Sequence, residues 1–121
     1  MKPLQEVLAH YGAAWREDDP DRRLAHLAAS FAENGRYVDP SADVAGRAAL
    51  SAHIGEVLAE FGGRVELTSA PQQHHELVHF TWHMRADDGS VMVAGRDIAR
   101  LDADGLIVEL MGFFGEPEPL D

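Results

Sequence analysis

The residue best placed for chemistry is Asp97. It lies in segment 91–101, where Val91, Val93, Gly95, Asp97, Ala99 and Leu101 share one face by strand alternation. An acid in phase with apolar residues faces the interior, where desolvation penalises the carboxylate and raises its pKa. Kept neutral, such an acid can donate a hydrogen bond to a substrate oxygen. Bonded instead to a Tyr, a Trp or a backbone amide, it would serve structure alone. Asp39 precedes Pro40, which holds it extended. A carboxylate there could move a proton, but Asp-Pro also opens turns, and Asp39 could simply cap the loop 41–46. Two acids in opposed environments would have separated pKa values, one acting as base and one as acid. Tyr11 sits on an apolar helical stripe, where packing is the ordinary role and a buried phenol seeks a polar partner.

The seven histidines raise the question of a metal. His75, His79 and His83 recur every four residues, a spacing that gathers imidazoles on a helix. On a strand it spreads them by ~13 Å, too far to share one ion. Val78, Phe80, Trp82 and Met84 alternate with them, so the segment reads as a strand and no metal site is expected. His53 adjoins the apolar stripe of a helix and could reach a pocket, though a half-buried packing role also suits it. No nucleophile elbow, phosphate-binding loop or dinucleotide fingerprint is present.

The chain around these residues has 121 positions, enough for one domain. It has no cysteine, which removes disulfides, thiol nucleophiles and zinc–thiolate sites. Ten basic residues against 21 acidic ones give a net charge of −11, which argues against nucleic acid and against an anionic membrane surface. Neither a signal peptide nor a membrane span is legible, so a cytoplasmic protein is expected.

Three helices are predicted. The first spans 3–16, with Leu4, Val7, Leu8, Tyr11 and Trp15 on one stripe. The second opens at Asp19-Pro20, carries Leu24, Leu27, Ala28 and Phe31, and ends at Gly35. The third runs from about Gly46 to Gly62 through Leu50, Ile54, Val57, Leu58 and Phe61. A short strand is predicted at 36–40. After Gly63 the period changes to two, with strands at 64–70, 74–86, 91–101 and 106–114. In the last, Leu106, Val108, Leu110, Gly112 and Phe114 are assigned inward, opposite Ile107, Glu109, Met111 and Phe113. The acidic, Pro-broken tail 116–121 is expected to fray. Long strands curl, and helices on the concave side of a curled sheet leave an apolar pocket.

Five pieces of sequence carry a family resemblance: Tyr11-Gly12-Ala13-Ala14; Phe31-Ala32-Glu33-Asn34 before Tyr37-Val38-Asp39-Pro40; Gly46-Arg47; Gly95-Arg96-Asp97-Ile98; and Phe113-Phe114-Gly115-Glu116. In this order they resemble the nuclear transport factor 2-like superfamily. Within it the chain looks like the SnoaL-like small-molecule proteins, relatives of polyketide cyclases and ketosteroid isomerases. The resemblance implies a single α+β domain over 1–121. Its shape would be a cone-shaped α+β barrel, three N-terminal helices packed on a strongly curved, mainly antiparallel sheet. It also implies Asp39 as general base, with Tyr11 and Asp97 as donors to an enolate oxygen. Trp15, His53, Phe80, Trp82, Met84, Leu110 and Phe114 would contact an apolar, carbonyl-containing ligand, and no cofactor is needed. A non-catalytic ligand-binding or assembly module is the alternative. The outer sheet face, with Met92, Ile98, Ile107, Met111 and Phe113 among charged residues, suggests a homodimer.

Overall fold

The computed structural model describes Met1–Leu120; Asp121, which the expected tail includes, lies outside the described residues. The elements run α1 (Leu4–Ala14), α2 (Pro20–Ala28), β1 (Phe31–Asp39), β2 (Ala42–Ala45), α3 (Arg47–Phe61), β3 (Arg64–Leu67), β4 (Gln72–His74), β5 (Leu77–Arg85), β6 (Val91–Leu101) and β7 (Ile107–Phe114). The three helices pack against one face of an unclosed sheet of order β2-β1-β7-β6-β5-β3, with β4 also paired to β5. Every pairing is antiparallel except β1 with β7, which is parallel. This is an α+β cone. No helix among the described residues is long and apolar enough to cross a membrane.

The signals that end elements are local. Asp19 accepts from the Arg22 amide at 2.9 Å and Pro20 opens α2, which together satisfy the helix N-terminus. Gly62, at φ 61°, closes α3 in the left-handed conformation that glycine adopts without strain. Arg23 is buried and donates to the carbonyls of Glu17, Asp18 and Ser51, tying the α1–α2 connection to α3.

The structure corrects four expectations. Helix α2 stops at Ala28, and Phe31 begins a strand. The Ser30 hydroxyl donates to the His26 carbonyl at 2.8 Å, and the Ser30 carbonyl accepts from Ile107 at 2.9 Å, so sheet pairing takes over from the helical ladder. Gly35 therefore lies inside β1 rather than ending a helix. A Cβ there would stand 2.5 Å from the Phe31 ring, at the point where β1 shifts register against β7. The supposed loop 41–46 contains β2, which doubles back on β1. Strand 74–86 is divided, with His75 at φ 53° turning the chain between β4 and β5. Finally, Ile107 is fully buried instead of facing outward. Arg100 pairs with Glu109 but Leu101 with Ile107, so Val108 is bulged out and the alternation slips by one residue.

Candidate functional site

Asp39, Gly112 and Asp97 lie in a row across three adjacent strands. Asp97 pairs with Gly112 across β6 and β7. In the parallel pairing of β1 with β7, Val38 is opposite Met111, which brings Asp39 alongside Gly112. The missing side chain is what lets the acids approach. A Cβ on Gly112 would stand 2.9 Å from Asp97 Oδ1 and 3.3 Å from Asp39 Cβ, so these two atoms are within about 6 Å of one another.

Both acids border a cavity of about 120 Å³ between the helices and the concave sheet face. Tyr11 and Trp15 of α1 reach it, as do Tyr37 of β1, Phe80, Trp82 and Met84 of β5, and Phe114 of β7. Val57 and Phe61 of α3 and Val93 of β6 complete much of the apolar wall. Phe61 and Phe114 are exposed, which places the mouth on their side. Among the described residues no Lys, Arg or His borders the cavity.

The two acids have different environments. Asp97 is 5 % exposed, and its Oδ1 accepts one hydrogen bond, from Trp82 Nε1 at 3.0 Å. Burial pushes its pKa up to about 7; the Trp82 bond acts in the opposite direction and the Asp39 charge adds to the rise. The indole can only donate, so a protonated Asp97 keeps Oδ1 as acceptor and carries its hydrogen on Oδ2. Asp39 accepts three bonds. Tyr37 Oη donates to Oδ2 at 2.5 Å, while the Ser41 amide and hydroxyl both donate to Oδ1 at 2.7 Å. All three partners are donors, the pattern an ionised carboxylate accepts.

Tyr11 is buried, edge-on to Phe80 with ring centroids 6.4 Å apart, and its hydroxyl has no hydrogen-bond partner. Burial, then the Asp97 charge, raise its pKa well above the phenol range. Trp15 opposes this without making a hydrogen bond of normal geometry. Tyr37 is raised as well, by burial first and then by Tyr11 and Asp39. Both phenols are therefore neutral donors at any ordinary pH.

Asp39, Asp97, Tyr11, Trp15, Phe80, Trp82, Met84 and Phe114 thus border one space. Two residues assigned to it from sequence lie elsewhere. Leu110 faces inward as expected but is fully buried in the core and does not border the cavity. His53 packs behind the wall, 5.7 Å from the Tyr37 ring and 6.2 Å from that of Trp15, with Nε2 buried and unpartnered. Sequence reasoning passed over Tyr37, Ser41 and Gly112. Tyr37 and Asp39 share a strand face two residues apart, and Ser41 completes an Asp-Pro-Ser turn; both patterns are readable. Gly95 also belongs to the arrangement, since a Cβ there would lie 2.2 Å from the Trp82 ring that holds Asp97.

The family model of the SnoaL-like domain matches residues 7–110. Among solved structures, a candidate isomerase of the SnoaL-like family from Agrobacterium tumefaciens is 32 % identical. The match covers 91 % of this chain and 95 % of that one, with a TM-score of 0.85. A cystatin-like-fold protein of unknown function from Methylobium petroleophilum is 16 % identical, with 96 % and 78 % covered and a TM-score of 0.76. A candidate ketosteroid isomerase from Kribbella flavida is 18 % identical, with 98 % and 82 % covered and a TM-score of 0.68. At these last two identities the likeness is one of fold. No curated protein matches the chain. With the family model spanning both acids and most of the cone, the chain belongs to the SnoaL-like domain family.

Proposed function

We propose that this protein is a cofactor-independent isomerase or cyclase that works by acid/base chemistry on a small, apolar, carbonyl-containing substrate. The observation that carries the reading is the convergence of Tyr11, Asp39 and Asp97 on one apolar cavity. Asp39 takes a proton from the carbon next to the carbonyl and returns it to another carbon, so no net proton is consumed. The enolate oxygen formed between these steps is held by the Tyr11 hydroxyl and by the hydrogen on Asp97 Oδ2. Donors already fixed in a dry site stabilise that charge without reorganising. A 120 Å³ cavity is slightly smaller than the ~150 Å³ void that admits benzene, so the enclosed part of the substrate is about one ring in size.

The test is proton exchange. Small cyclic enones and ketones are incubated with the protein in deuterated water, and loss of the α-proton signal is followed by NMR. Exchange above the buffer rate, reduced at least about a hundredfold in Asp39→Asn and strongly in Asp97→Asn, is the expected result. Exchange unaltered in both variants would sink the reading. One observation favours a non-catalytic binding module: all three hydrogen bonds to Asp39 come from its own turn and strand, as a structural carboxylate would have. In that case ligands bind in the same cavity and no exchange occurs.

We further propose a cytoplasmic homodimer formed through the outer sheet face. Met92, Ile98 and Phe113 are exposed there beside Arg96 and Arg100, and such patches mark interfaces. A monomeric mass by light scattering at micromolar concentration would remove the dimer.

A further inference from the structure

The cavity is separated from a second hollow by a wall one side chain thick. Outside α1 and β3 lies a groove of about 380 Å³, bordered by Gln5, Leu8, Arg16, Glu66 and Pro71. Gly12 and Leu67 border both spaces. A Cβ on Gly12 would stand 3.1 Å from Leu67 Cδ1 and 3.4 Å from Arg16 Nη1, so α1 and β3 meet here as closely as a glycine allows. Leu67 is half-buried and is the last residue of β3, the edge strand of the sheet. The Leu67 side chain thus stands between the two spaces, and as a half-buried leucine at a strand end it has other staggered rotamers to move into.

The charges beyond the wall are unequal. Arg16 donates one hydrogen bond, from Nη1 to the Val65 carbonyl at 3.2 Å, and forms no ion pair among the described residues. A guanidinium has five N–H groups, so most of its donors remain open. Glu66, the acid on the same groove, is already paired with Arg85. Arg16 is thus the cation on the groove with open donors, in a protein whose net charge is −11. The cavity itself offers two carboxyl groups and, among the described residues, no cation.

We infer that the groove is the far half of the binding site, and that the ligand is an elongated oxo acid. Its carbonyl end lies in the cavity and its carboxylate reaches the Arg16 guanidinium past Leu67. The inference rests on the carbonyl reading of the cavity but adds the ligand's length and its anionic end. An anion at Arg16 keeps its charge away from Asp39 and Asp97, and planar bidentate pairing with a carboxylate is what a guanidinium does best.

Equilibrium binding to the full chain tests this by calorimetry, using levulinate, its homologues lengthened one methylene at a time, their methyl esters, and pentan-2-one. Affinity for the acids is expected to pass through an optimum in chain length, where the acid binds about tenfold tighter than its ester. Arg16→Gln is expected to abolish that acid-to-ester ratio. Leu67→Ala is expected to raise the ratio of the longest member to pentan-2-one about tenfold. Equal binding of acid and ester in the natural protein, or ratios unmoved by the two substitutions, would overturn the inference. Proton exchange with small ketones but no preference for acids would remove this inference and leave the acid/base reading standing. Length-dependent acid binding without exchange would do the opposite.

Discussion

The Asp97 carboxyl has a consequence for stability that can be measured without a substrate. Its pKa stands at about 7 in the folded protein, against an ordinary value of 3.8 for an exposed Asp. Well below pH 4 the group is protonated in both states and costs nothing. Between about pH 4 and 7 the folded state holds this proton and the unfolded state releases it, so folding becomes less favourable as pH rises. Above pH 7 the group is charged in both states and the penalty is constant. A gap of about three pH units corresponds to about 4 kcal/mol. Asp97→Asn removes the titration while leaving an amide oxygen to accept from Trp82 Nε1. Urea denaturation of both proteins at pH 5 and pH 8.5 gives a double difference in which the other titrating groups cancel. The substitution is expected to stabilise the protein by about 2–3 kcal/mol more at pH 8.5 than at pH 5, where part of the penalty is already present. Parallel pH dependences in the two proteins would refute the argument that burial dominates this carboxyl.

Other perturbations follow from the same geometry. Gly112→Ala places a methyl group 2.9 Å from Asp97 Oδ1 and should cost about 1–3 kcal/mol in denaturation while weakening any ligand that contacts both acids. Trp82→Phe removes the bond that lowers the Asp97 pKa, so the alkaline limb of the pH–rate profile should move upward; an unmoved limb would mean Asp97 is not the titrating acid. Asp19→Ala deletes the cap of α2 and should cost about 1 kcal/mol in urea denaturation, with ligand binding unaltered. Leu27→Ala, at a fully buried position on α2, should cost about 2–5 kcal/mol by the same measurement.

Much of the cone could be read from spacing. Val78, Phe80, Trp82 and Met84 alternate and are all buried, and the same alternation places Asp97 inward. Asp19-Pro20 and Gly62 mark helix ends by mechanisms that act within one turn. The errors share a cause. Phe31 fits a helical stripe with Leu24 and Leu27 by arithmetic alone, but β7, lying some seventy-five residues on, claims it for the sheet. Val108 breaks the phase of β7 because a bulge is set by both strands at once, and one strand's sequence does not announce it. Within the site, Asp39 and Asp97 were visible as residue types in context. Gly112 was not, because its contribution is an absent side chain between two acids from other strands. His53 takes the half-buried packing role rather than the pocket one, and spacing could not choose between them: helical phase shows that a residue points inward, but not which neighbour stands in front of it.

The position of β7 in the sheet also bears on how the molecule comes into being. Last of the strands in sequence, it enters between β1 and β6, and only then do Asp39 and Asp97 become neighbours across Gly112. A nascent chain that has emerged as far as β6 already contains both acids and much of the cavity's aromatic lining, yet lacks the strand that pairs with both β1 and β6. The acids meet through a long-range closure, so a chain halted or cleaved before β7 lacks the strand that sets them side by side. Insertion of β7 and creation of the paired acids are thereby made one event.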